Sequence, residues 1–159
     1  MKTPHLALSA VLAVFTLSTT LAADDPALKK DLAQLQGEWA MVSGSADGME
    51  MPEALRQTAQ RVCKGEETTV MVGGQLIMKA KFSLDPAKKP KAIDYDVLEA
   101  PTKGMKHLGI YEFEGETVKF CFAAPGGERP MEFVSKAGDR RTTSVWKRVK
   151  EVAAEPAKK

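Results

Sequence analysis

Short apolar and polar alternations, separated by turns and with no helical crossover between them, constrain this chain more than any other feature. In residues 76–84, Leu76, Met78, Ala80, Phe82 and Leu84 share one face, while Ile77, Lys79, Lys81 and Ser83 share the other. Strand side chains point alternately to opposite sides, so one face of this segment is dry and the other mostly wet. The next alternation places Ile93, Tyr95 and Val97 together. Residues 108–113 and 117–123 form a hairpin about Glu114-Gly115, with Val118, Phe120 and Phe122 on one face of the return strand. Trp39 and Met41 open the series, and segments 61–64, 68–72, 131–135 and 142–149 bring it to about eight or nine short strands. The stretch SGSADGMEMP, residues 43–52, carries turn and loop chemistry, and residues 53–60 have room for a helical turn. Strands joined only by turns are antiparallel neighbours. A sheet of this many strands either splits into a sandwich or closes on itself to remove its edges. Closure is the reading adopted: a mainly β, antiparallel up-and-down barrel of about eight strands.

A short helix precedes the barrel. Asp25 suits the N-cap and Pro26 the first helical position, while Leu28, Leu32 and Leu35 recur at helical spacing before Gly37. The leucine stripe is expected to pack as a lid on the core. Upstream, Lys2, an apolar run from Leu6 to about Leu17 and small residues at Ala22 and Ala23 have the layout of a secretory signal, cleaved after Ala22 or Ala23. The run is shorter than the ~20 apolar residues of a spanning helix and lacks a second basic flank, so no membrane span is expected after its removal. The domains expected are therefore a signal peptide over 1–22, one barrel domain over 23–150 and a flexible polar tail over 151–159. The protein is expected to be exported, to the periplasm or the exterior.

Loss of residues 1–22 leaves 22 basic against 21 acidic side chains, interspersed along the chain. No basic block is present to recruit phosphate backbones, which argues against a nucleic-acid partner. The two cysteines, Cys63 and Cys121, can be bridged by a disulfide in an oxidising compartment or stand as separately buried thiols. His107 is the single histidine after the signal and no Cys-x-x-Cys spacing occurs, so neither a metal nor another cofactor is expected. No Gly-x-Ser-x-Gly elbow is present, Ser43 and Ser45 fall in a turn segment, and Cys121 alternates away from Phe120 and Phe122. The expectation is a protein that is not an enzyme.

Candidate binding residues come from the inward faces. Met78, Phe82 and Phe120, with Met41, Ile93, Val118 and Phe122, would line a barrel interior, and Tyr95 and Tyr111 could offer hydroxyls inside it. Bulky inward side chains outnumber small ones, which inclines the interior toward being filled. Arg129, in the corner APGGERP, could grip a ligand carboxylate or phosphate, or tie a loop down through backbone carbonyls or Asp94. Asp94 and Asp96 share the face opposite Tyr95 and are expected to point at water.

LQGEW at residues 35–39, LDPAKKPKAID at 84–94, GIYEFEGETVKFCFA at 109–123, GGERPMEF at 126–133 and WKRVK at 146–150 together resemble an uncharacterised, lipocalin-like domain family abundant in planctomycete bacteria. The resemblance implies a small exported barrel of the lipocalin or calycin type, with no activity attached. It also implies that Trp39 plugs the closed end of the barrel and that Arg148 lies across its ring, a structural pair. The leading functional reading is a barrel that binds a small apolar ligand. The alternative is an envelope protein-interaction module with a solid, side-chain-filled barrel.

Overall fold

In the computed structural model the described residues are 25–150; the expected signal peptide and the polar tail lie outside them. Helix α1 spans Pro26–Leu35, and its N-cap Asp25 accepts a hydrogen bond from the Ala27 amide at 2.8 Å. The strands are β1 (Gly37–Ala46), β2 (Met49–Glu50), β3 (Ala59–Lys64), β4 (Glu67–Val72), β5 (Gln75–Asp85), β6 (Ala92–Glu99), β7 (Lys106–Glu114), β8 (Thr117–Phe122) and β9 (Thr142–Arg148), with a one-turn helix α2 at Glu53–Arg56. Strands β3 to β9 pair in chain order, and β1 pairs with both β3 and β9. These eight strands close an antiparallel up-and-down barrel, while β2 only folds back on the end of β1. No helix among the described residues is long and apolar enough to cross a membrane.

Closure explains the first departure from the sequence reading. Residues 43–46 are strand and not turn, because β9 supplies a partner for them: Ser45 lies opposite Thr143 and Ala46 opposite Thr142. A register shift between Met41 and Ser43 bends β1 there, and the chain turns only at Asp47-Gly48. The second departure is residues 131–135, expected as a strand. They find no sheet neighbour and belong to a strap, residues 123–141, laid along the outside of the barrel. Ile110 and Cys121 point outward by alternation, yet both are fully buried beneath it.

Two levels divide the interior. The lower one is solid, filled by Leu35, Trp39, Phe82, Ile93, Val118 and Phe120. Leu32 and Leu35 of α1 pack against this core, as the leucine stripe suggested. Burying a leucine stabilises by about 1.5–3 kcal/mol. The helix is also tied polar to polar: its buried Asp31 accepts from Tyr111 Oη and Lys91 Nζ, both at 2.7 Å. Trp39 Nε1 donates to Leu35 O at 3.0 Å, and the Arg148 guanidinium carbon lies 4.3 Å from the Trp39 ring centroid. The indole and guanidinium expected at the closed end are therefore in contact, directly opposite one another in the β1–β9 register.

Candidate functional site

Above the packed level the barrel is open. A cavity of about 620 Å³ runs from mid-barrel to the end where β4 turns into β5 and where α2 lies across the mouth. Its walls are mostly apolar, built from Met41, Val70, Met78, Tyr95, Phe122 and Trp146, and its mouth is edged by Met49, Leu55 and Ile77. The space exists for a local reason. Inward positions near the floor carry rings, whereas Gly44, Ala46, Ser144 and Thr142 supply the facing positions of β1 and β9 toward the mouth. Gly109 is needed as well: a Cβ there would stand 2.4 Å from Phe122 Cδ1, so its absence lets that ring lie flat against the wall.

The expected lining residues divide between the two levels. Met78 and Tyr95 reach the cavity, and Phe82 and Phe120 lie in the packed level beneath it. The inclination toward a filled interior thus describes only the lower half. Tyr111 faces inward but belongs to the closed end, where its hydroxyl is committed to Asp31. Burial and this hydrogen bond push its phenol well above the ordinary range.

Arg129 is corrected from ligand site to fastener. It lies on the outside of the barrel, where Nη1 donates to Gly109 O at 2.7 Å and to Ile93 O at 3.4 Å, and stands 2.6 Å from Asp94 Oδ1. These contacts, all made by Nη1, pin the strap across β6 and β7. Asp96 also faces outward, 2.8 Å from Lys106 Nζ. The disulfide is corrected too: Cys63 and Cys121 are both free. Cys63 faces the interior and donates to Thr68 Oγ1 at 3.4 Å, whereas Cys121 faces the strap, with Sγ 3.8 Å from Val134 O. Opposite strand phases put the two thiols on opposite sides of the barrel wall.

The residue that sequence reasoning missed is Arg61. It sits on β3 between Ala59 and Cys63, both buried, and its own side chain is only 4% exposed. It forms part of the cavity floor. Nη1 donates to Tyr95 Oη at 2.5 Å and to Thr68 Oγ1 at 3.3 Å. The guanidinium carbon lies 4.6 Å from the Phe120 ring centroid, 4.7 Å from that of Trp146 and 6.0 Å from that of Tyr95. Its Nε has no acceptor among the described residues. The alternation Ala59, Arg61, Cys63 was the available signal, since it puts a cation in the inward phase of a strand.

Around Arg61 the other titratable groups stay neutral. Burial raises the Tyr95 phenol and the Cys63 thiol above their ordinary values, although the Arg61 charge pulls each the other way. At the mouth, burial lowers His107, whose Nε2 lies 3.2 Å from Thr102 Oγ1. Among the described residues no three His, Cys, Asp or Glu side chains are grouped to hold a metal ion. Comparison with protein-family models, with curated proteins and with solved structures gives no match.

Proposed function

We propose that this is an exported binding protein that carries or senses a small apolar molecule held in the open half of the barrel. The observation that carries the reading is the cavity itself, about 620 Å³ and walled mainly by apolar side chains. Ligand sites occupy about 300–1,000 Å³ and are largely apolar with a few placed polar groups, which is the composition here. The packed lower level and the Trp39–Arg148 contact close one end, so a ligand has one way in. Export rests on the layout of residues 1–22 and on the resemblance to lipocalin-like domains. The interaction-module alternative presupposes a filled barrel, and the open upper half favours the ligand reading over it.

Titration of the mature chain with N-phenyl-1-naphthylamine, a neutral apolar dye, tests this. The expected result is saturable binding of one dye per protein, weakened at least about tenfold by Met78→Trp, which puts an indole into the cavity. A dye that fails to saturate, or binds the variant as well as the parent, overturns the reading.

A further inference from the structure

The two buried charged side chains among the described residues are treated very differently. Asp31 has a cation 2.7 Å away in Lys91. Arg61 makes no ion pair with any described residue, although it is just as buried. A guanidinium keeps its proton at any ordinary pH, so it cannot escape burial by becoming neutral. Phe120 and Trp146 offset part of the cost by facing the cation with their rings. Rings satisfy the faces of the guanidinium and not its N–H edge. Its five N–H donors are met among the described residues by two hydrogen bonds to oxygen, both from Nη1, and by the weakly accepting Cys63 thiol. Nor do the adjacent thiol and phenol supply a negative charge, because both remain protonated.

Tyr95 points the same way. Its oxygen accepts from Arg61, and its own proton has no acceptor among the described residues. A cation and a free hydroxyl proton therefore stand side by side at the floor of a cavity whose remaining wall is mainly apolar. The cavity is also lined by Glu50 and Arg140, whose charges offset each other, so the one positive charge of Arg61 calls for one negative charge. A phosphate dianion would enter with an excess, whereas a single carboxylate matches both the charge and the planar fork.

We propose that the ligand is an amphipathic monocarboxylate whose headgroup binds Arg61 and Tyr95 at the cavity floor, with its apolar tail running past Met78 and Phe122 toward the mouth. The proposal rests on the cavity being a ligand site, and the experiment separates the two. Dodecanoic acid and dodecan-1-ol are compared as displacers of N-phenyl-1-naphthylamine from the mature chain at about pH 8, where the acid is ionised. The acid is expected to bind at least about tenfold tighter than the alcohol, the worth of a charge-assisted hydrogen bond. Arg61→Met, verified as folded by circular dichroism, is expected to abolish the preference, and Tyr95→Phe to reduce it. Equal binding of acid and alcohol to the parent protein overturns the headgroup proposal while leaving the cavity reading intact, and needs no variant. A preference that survives Arg61→Met also overturns it. If the dye itself does not bind, both fall together.

Discussion

Replacing Arg148 with Met removes the cation from the closed end of the barrel and keeps much of the apolar stem. In the structure its Nη1 donates to Gln36 O at 2.6 Å and its Nη2 donates to Gln34 O. Those carbonyls end α1, whose last turn has no basic residue of its own. A strand at the far end of the sequence thus supplies the positive charge that a helix C-terminus favours. Hydrogen bonds from charged donors contribute about 1.5–3 kcal/mol each, discounted here to about 1 kcal/mol each because the guanidinium is half-buried. The cation over the Trp39 ring adds about 1 kcal/mol, for a total near 3 kcal/mol. For a domain of this size, each kcal/mol moves Tm by about 3–5 °C, so a fall of about 10 °C is expected. Thermal unfolding followed by near- and far-ultraviolet circular dichroism checks this. Lys147→Met, on the exposed phase of the same strand, serves as control, and Arg148→Lys should fall between because it keeps charge without the fork. An Arg148→Met protein within about 2 °C of the parent would refute the idea that this side chain joins helix and barrel.

Three further outcomes follow from buried groups. Both of the chain's tyrosines are buried with raised phenol pKa values, Tyr95 by desolvation and Tyr111 by desolvation and its bond to Asp31. The unfolded phenols ionise near 10, so this contribution to stability is complete below about pH 10 and is lost as pH rises beyond it. Ultraviolet phenolate absorbance should therefore appear only together with unfolding, and a reversible titration near 10 in folded protein refutes the burial. Cys63 and Cys121, both held protonated by burial, should resist iodoacetamide in the native state and both react after unfolding without reductant. Intact mass reads both steps, and a pair that stays unreactive until reduced would mean a disulfide. Gly109→Ala sets a Cβ 2.4 Å from the Phe122 ring and 2.9 Å from Cys121 O, so the ring must swing toward the cavity. A loss of about 1–3 kcal/mol in urea unfolding and weaker dye binding are expected, and unchanged values for both would refute the close packing.

The parts legible in the sequence were those encoded by neighbours. Alternation along 78–84, 92–99 and 117–122 announced three strands and their inward faces, because strand geometry ties side-chain direction to position parity. A register shift at Ile77 reverses that parity, so Ile77 and not the expected Leu76 edges the cavity. Asp25, Pro26 and the leucine spacing announced α1 in the same way. Segments 43–46 and 131–135 were misread because their local chemistry suits either state, and a partner strand settles which one forms. The sequence setting of Arg129 allows either a ligand contact or a hold on Asp94, and the course of the strap across β6 and β7 decides for the latter.

Position parity and turn residues determined by themselves that this chain makes a meander of antiparallel strands behind one short helix. Tertiary structure alone decided how deep the side chains fill the barrel, which cysteine faces which side, and that no acid among the described residues pairs with Arg61. Alternation tells which way a side chain points; what it meets there depends on residues brought near by closure of the sheet, such as Thr68, Tyr95, Phe120 and Trp146 around that one guanidinium.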